Sequence, residues 1–277
     1  MNFRALSKLG AQEIQGIENA QYDAQKLLAH VIGSDMLLAK AADTPIAEEQ
    51  EALYLKILLR RKNGEPLQYI IGETAFMGLM FCVDSRVLIP RFDTETVVSA
   101  CLEIVKPSTT LLDMCTGSGA IAISIKHLRS DLKVTAADIS TGALSVARYN
   151  AERHNANIAF LKSDMFENIN GSFDTIICNP PYIKEADMQL LSKEVKQEPV
   201  SALVAGEDGL IFYRRLFNEG KNHLKQNGYI VCELGFDQDK DVAKIAYNNG
   251  FSVLDIKKDL NNIPRALIAQ LKEKTLA

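Results

Sequence analysis

From about residue 91 onward the chain repeats one rhythm: a short apolar run, a turn, then a segment with helical spacing. Thr110 to Asp113, Lys133 to Asp138, Ile158 to Leu161, Phe173 to Cys178 and Tyr229 to Leu234 read as strands. Gly119 to Leu128, Thr141 to His154, Leu210 to Leu224 and Val242 to Asn249 read as helices, the third stopped near Gly228 and the last capped by Gly250. Alternating β and α units imply a parallel sheet with helices on both faces. Nothing helical separates Phe251 to Ile256 from Ala266 to Gln270, so these pair as an antiparallel hairpin. The fold class is therefore α/β, with seven strands.

Residues 1 to about 75 read as helical instead. Asp23 to Val31 carries Leu27, Leu28, Val31 and Ile32 at helical spacing, and Glu48 to Arg61 carries Leu55, Leu58 and Leu59 on one side. The lysines and arginines of 56 to 62 read as a solvated face of that helix, with a meeting with an acidic partner as the alternative. Gly64-Glu65-Pro66 stops it. Tyr69 to Gly72 and Gly78 to Val83 are strand-like and suggest a hairpin. The division expected is a helical domain, 1–75, a hairpin linker, 76–90, and a sheet domain, 91–277.

The chain is 47% hydrophobic, enough for a sizeable core, and its net charge of −4 gives no footprint for wrapping duplex nucleic acid. No apolar run approaches the roughly 20 residues that span a bilayer, and the start lacks the apolar core of a secretory signal. Cysteines 82, 101, 115, 178 and 232 are scattered and form no C-x-x-C. They read as reduced thiols in a cytoplasm, with no metal site. The four histidines are dispersed and read as structural or exposed.

Asp113-Met114-Cys115-Thr116-Gly117-Ser118-Gly119 joins the first strand of the sheet to a helix. Gly117 allows a tight turn, and Gly119 allows a ligand to approach the helix N-terminus. Asp138 ends the next strand and can accept from ribose hydroxyls. These letters fit G-x-G-x-x-A with an acid about 20 residues on, so the loop alone suits either a nicotinamide enzyme or one using S-adenosylmethionine. Two features favour the second. Asp113 would repel a pyrophosphate and can engage the cationic end of a methionine moiety. Asn179-Pro180-Pro181-Tyr182 follows the fourth strand, across the crevice, where a methyl acceptor would lie.

That tetrapeptide suits a planar nitrogen. An amide or exocyclic amine is a poor nucleophile because its lone pair is delocalised. Acceptors on both N–H bonds hold the group and favour a pyramidal nitrogen. Asn179 Oδ1 can be one and the Pro180 carbonyl the other, while the prolines fix the turn and compete with no N–H. The Tyr182 ring can stack on the acceptor plane. Asp164 could meet an adenine amino group, with Met165 or Phe166 against the ring; a turn cap is the alternative. Arg91, Thr94 and Glu95 either close over the cofactor or cap the next helix. Glu198-Pro199 and Gly206 to Leu210 lie in a long loop suited to a substrate rim.

Val87 to Arg91, Asp113 to Gly119, Asp138, Asn179 to Tyr182, Glu198-Pro199, Ala202-Leu203, Asp208 to Leu210, Asp259-Leu260 and Arg265 together resemble the HemK/PrmC family. These are protein-(glutamine-N5) methyltransferases that modify peptide-chain release factors. The resemblance implies a helical substrate-recognition domain and a Rossmann-like class I methyltransferase domain using S-adenosylmethionine. It implies methylation of the glutamine in a Gly-Gly-Gln motif. With the charge, the cysteines and the lack of a long apolar run, the expectation is a cytoplasmic monomer that binds no nucleic acid directly and no membrane. By position, Cys115, Thr116, Gly117, Ser118, Gly119 and Asp138 would hold the cofactor, with Met165 against the adenine; Asp113 and Asp164 join that set from the reading of the residues themselves. Asn179 would touch cofactor and substrate, and Pro180, Pro181 and Tyr182 would hold the glutamine. Asn179, Pro180 and Tyr182 are the catalytic expectation. Methylation of a ribosomal-protein glutamine or of adenine N6 stays open. Two positions depart from the family pattern. Cys115 replaces a glycine, and Phe92 replaces a common proline at the entry to a helix.

Overall fold

Apolar residues three and four apart wind the N-terminal segment into α1 (Phe3–Glu13), α2 (Ala20–Ile32), α3 (Met36–Ala42), α4 (Glu48–Lys62) and the short α5 (Leu67–Ile71). In the computed structural model, which describes residues 1–272, these helices form one of two units, Met1–Glu73 together with Ser192–Gln197. Phe3, Leu6, Leu27, Leu28, Tyr54, Ile57 and Leu58 make its core. The inward face of α4 is Tyr54, Ile57, Leu58 and Arg61, whereas Leu55 and Leu59, expected inside, are exposed. Tyr69 to Ile71 is a turn of helix rather than a strand, because Gly72 in the left-handed region (φ 85°) caps it through a bond to the Gln68 carbonyl.

Arg61, read from the sequence as part of a solvated face, is 6% exposed. Its Nε donates to Asp23 at 2.7 Å and its Nη1 to Glu194 at 3.0 Å. Burial raises the Asp23 pKa against the pull of this cation. Glu194 lies in Ser192–Gln197, so this pairing is one reason that a segment assigned by sequence to the sheet domain clusters with the helices. Arg61→Met leaves Asp23 buried without its cation. The expected loss is about 3 kcal/mol, read as an earlier transition in chemical denaturation followed by circular dichroism.

The second unit comprises Thr74–Leu191 and the chain from Glu198 onward. After the hairpin β1 (Glu73–Phe76) and β2 (Leu79–Cys82) come α6 (Phe92–Ile104), β3 (Thr110–Met114), α7 (Ala120–Leu128), β4 (Lys133–Asp138), α8 (Thr141–Arg153), β5 (Ile158–Lys162) and β6 (Phe173–Cys178). Then follow α9 (Ile211–Gly220), β7 (Leu224–Glu233), α10 (Asp239–Asn248), β8 (Phe251–Lys258) and β9 (Pro264–Leu271). Phe92 itself opens α6, so the missing proline does not prevent the helix from starting there. The helix expected through Leu224 ends at Gly220, because Leu224 pairs with Phe173 and opens β7, which runs through Gly228.

The large sheet has the order β5-β4-β3-β6-β7-β9-β8, with the first five strands parallel and β9 antiparallel to both neighbours. One face buries Val97, Cys101, Ile121 and Ile125 from α6 and α7. The other buries Tyr213, Leu216, Phe217 and Val242 from α9 and α10. Strand order reverses between β3 and β6, where open α/β sheets bind ligands beyond the carboxyl ends. Met114 pairs with Cys178 across that point, so the loop after β3 and Asn179 after β6 start side by side. Among the described residues no helix is long and apolar enough to cross a membrane, and no cluster of His, Cys, Asp or Glu could hold a metal.

Candidate active site

The loop after β3 turns through three left-handed positions: Cys115 (φ 62°), Gly117 (φ 55°) and Gly119 (φ 81°). The two glycines serve different ends. A Cβ added at Gly117 would meet nothing within 4 Å, and Gly117 lines a cleft. A Cβ at Gly119 would come within 2.9 Å of Ile123 Cδ1 and 3.2 Å of Ala147 Cβ. Gly119 therefore lets α7 and α8 pack closely and does not line the cleft, which corrects the expectation that it admits a ligand. Cys115 carries a Cβ where the backbone favours glycine. Cys115→Gly is expected to exceed Cys115→Ala in stability by about 1 kcal/mol, since both lose the thiol and only one keeps the left-handed strain; paired denaturant melts measure the difference.

Asp113 is fully buried beneath this loop rather than in the cleft. Its Oδ2 accepts from Thr116 Oγ1 at 2.6 Å and from Ala122 N, in the first turn of α7, at 3.2 Å. Its Oδ1 has no partner among the described residues. Burial pushes its carboxyl up to about 7 against those two bonds. Asp113 thus shapes the loop and the helix start through Oδ2, and it does not itself line the cleft.

The cleft has a volume of about 300 Å³, at the lower end of small-molecule sites. Cys115, Thr116, Gly117, Ser118, Asp138, Asp164, Met165 and Asn179 all line it. Asp138 Oδ2 accepts from Gly117 N and its Oδ1 from Ser140 N, each at 2.9 Å. Burial raises its pKa, opposed by those backbone donors. Met165 is buried in the left-handed region (φ 47°), its sulfur 3.9 Å from Cys115 Sγ. Asp164 pairs with Arg215 at 2.6 Å rather than capping a turn. Arg86, the other cation on the lining, pairs with Asp84.

Asn179 and Pro181 face the cleft, but Pro180 and Tyr182 do not line it. The Tyr182 hydroxyl donates to Glu233 Oε1 at 3.1 Å. Asn179 Nδ2 donates to Thr94 Oγ1 at 3.2 Å, and Thr94 Oγ1 donates to Glu233 Oε2 at 2.6 Å. Thr94 thus lines the cleft with Asn179, and of the two readings of Arg91, Thr94 and Glu95 the helix-capping cluster does not form. Arg91 is the N-cap residue without a side-chain cap bond and pairs with buried Glu198. Glu95 accepts from Met77 N. Glu198 also accepts from Ile89 N, so it fastens the chain inside the unit rather than forming an outer rim. Sequence reasoning missed Glu233. The available signal was an acid ending the apolar run Tyr229 to Cys232; that run lies beside the strand that Asn179 follows. Burial pushes Glu233 up to about 7 despite the Thr94 bond and the charge of Arg265.

Residues 84–206 match the family model of the methyltransferase small domain, and residues 5–72 that of the PrmC N-terminal domain. The release factor glutamine methyltransferase of Geobacter sulfurreducens is 37% identical over 91% of this chain and 90% of its own length. That of Thermodesulfovibrio yellowstonii is 38% identical over 92% and 93%. A solved methyltransferase from Pyrococcus furiosus aligns with a TM-score of 0.53 at 21% identity, covering 81% of this chain and 98% of that one, a likeness of fold alone.

Proposed function

This chain belongs to the release factor glutamine methyltransferase family, and we propose that its cleft holds S-adenosylmethionine beside a release-factor glutamine whose side-chain amide meets Asn179. The enzyme transfers a methyl group to that glutamine. The residues fit such a cofactor. Asp138 suits hydroxyl donors, Met165 gives the adenine an apolar wall, and both cations on the lining are already paired, leaving no free one to oppose a sulfonium. When bound, S-adenosylmethionine supplies a methyl on a sulfonium sulfur: the nitrogen–carbon bond forms as the sulfur–carbon bond breaks, and sulfur keeps the pair.

The chain's own task is to hold the amide. The observation that carries this reading is the bond from Asn179 Nδ2 to Thr94. It commits the NH₂ end of the side chain and leaves Oδ1 to accept from the substrate N–H. The Pro180 carbonyl is the second acceptor in this reading, with Pro181 and Tyr182 shaping the turn. No base is needed before transfer, because the amide nitrogen becomes acidic only as it gains the methyl and then releases its proton to water. The helical unit is assigned to release-factor recognition, and the acceptor is the glutamine of a Gly-Gly-Gln loop. The net charge of −4 favours a protein over a nucleic acid as acceptor. A cytoplasmic monomer completes the reading.

The test mixes the protein with methyl-labelled S-adenosylmethionine and, separately, purified release factor, ribosomal proteins or DNA. Label is expected on one glutamine of the release factor, located by peptide mass spectrometry. Label on adenine or on a ribosomal protein alone would overturn the assignment.

A further inference from the structure

Asn179 can hold a substrate N–H only if its oxygen, not its NH₂, is the free end. An amide has no intrinsic preference between the two, so something must impose one. Thr94 Oγ1, its partner, has a single proton. That proton goes to Glu233 Oε2 at 2.6 Å, which leaves the Thr94 oxygen able only to accept. A flipped Asn179 would set Oδ1 against that oxygen with no proton between them. The second Glu233 oxygen takes the Tyr182 hydroxyl proton. Burial, and then the Glu233 charge, raise the Tyr182 pKa, so the phenol stays a donor. One carboxylate therefore sits behind both ends of the tetrapeptide without lining the cleft.

We propose that Glu233 is a positioning residue for methyl transfer: as a carboxylate it directs the Thr94 hydroxyl, through it the Asn179 amide, and at the same time the Tyr182 phenol. The inference rests on Asn179 as the group that holds the substrate amide. The groups around Glu233 are few. Asp93 and Thr94 approach from α6, Tyr182 from the loop after β6, and Arg265 from β9. Arg265 is itself engaged with Asp93 and Asp259, each at 3.1 Å. Tyr213 of α9 donates to the Glu233 backbone carbonyl at 2.9 Å, and Cys232 is the buried neighbour in β7.

Protonated Glu233 could donate to Thr94, whose own proton would then point at Asn179 and select the wrong end of the amide. Because burial pushes Glu233 up to about 7, this state is reached near neutrality. The deprotonated form is the competent one. Turnover should rise with pH through about 7 and level off above it.

The test compares wild type, Glu233→Gln, Thr94→Val and Thr94→Ser on purified release factor. It reads kcat, KM for the release factor, the Kd of S-adenosylmethionine by calorimetry, and kcat against pH. Glu233→Gln is expected to lower kcat about 10–100-fold, by analogy with the loss of an outer-shell partner that orients a metal ligand. The cofactor Kd and the release-factor KM should stay near wild type, and the acid limb near pH 7 should vanish. Thr94→Val should lose turnover and the limb alike, and Thr94→Ser, which keeps the hydroxyl, should recover most of both. Wild-type kcat in Glu233→Gln, or an acid limb that survives in it, overturns the proposal. If Glu233→Gln does not fold, the Thr94 pair decides: equal turnover in Val and Ser overturns it. A wild-type protein that methylates no release factor would instead refute the reading of function, which is a separate outcome.

Discussion

Asn179→Ala is expected to lower turnover about 10²–10³-fold, the loss typical of removing one positioned polar partner from a transition state. Affinity for S-adenosylmethionine should stay close to wild type, because Asp138, Met165 and the loop from Cys115 to Ser118 remain in place along the cleft. Alanine removes an acceptor, Oδ1, whose value depends on what it meets. In the ground state the substrate amide is planar and its N–H bonds can find water. As the nitrogen gives its lone pair to the methyl carbon it gains positive charge, and its N–H protons become far stronger donors. A fixed acceptor is then worth more than mobile water, so the loss falls on kcat rather than on substrate KM. Asn179→Asp makes the same point differently. It keeps Oδ1 but sets a second carboxylate against Thr94, which has only one proton to give and already gives it to Glu233. Turnover should therefore not recover in the aspartate variant. Single-turnover rates at saturating cofactor and release factor decide both cases. Unchanged turnover in Asn179→Ala would remove that side chain from the mechanism.

The parts of the site readable in sequence were those held by local rules. Strands Lys133–Asp138 and Phe173–Cys178 have the bounds their apolar runs suggest, and each ends in a site residue or directly before one. The glycine loop and the tetrapeptide announce themselves because turns need particular residues. What stayed hidden depends on distant partners. Thr94 and Glu233 are 139 residues apart in sequence, and each alone looks ordinary: a threonine near a helix start and an acid at a strand end. Arg61 reads as a solvated charge until Asp23 and Glu194, 38 and 133 residues away, are brought to it. Gly117 and Gly119 are identical letters two apart. Only the packing shows that one leaves open space over the loop while the other admits a neighbouring helix. Asp113 is legible as an acid that precedes the loop; that one of its oxygens, Oδ2, serves the loop's own geometry shows only in the packing.

The largest loss of cofactor affinity is expected at Asp138. Its two oxygens each hold one backbone N–H, from Gly117 and from Ser140, and each keeps a further lone pair. Since Asp138 also lines the cleft, those lone pairs are open to the hydroxyl donors of a ribose. Burial already makes its charge costly, so added donors relieve a carboxylate that water solvates poorly. A hydrogen bond to a charged group contributes roughly 1.5–3 kcal/mol, and two hydroxyls together about 3–4 kcal/mol, so Asp138→Ala should weaken binding roughly 10²–10³-fold. The decisive comparison uses calorimetry with S-adenosylmethionine and with S-adenosylhomocysteine. The two share the ribose and differ at the sulfur, so both dissociation constants should rise by the same factor. A change confined to the sulfonium form would mean that Asp138 acts on the charge rather than on the sugar. At saturating cofactor the Asp138→Ala enzyme should regain most of its turnover, because Asn179, the side chain proposed to hold the amide, is untouched. That recovery is the feature that separates a residue that binds the cofactor from one that holds the acceptor amide.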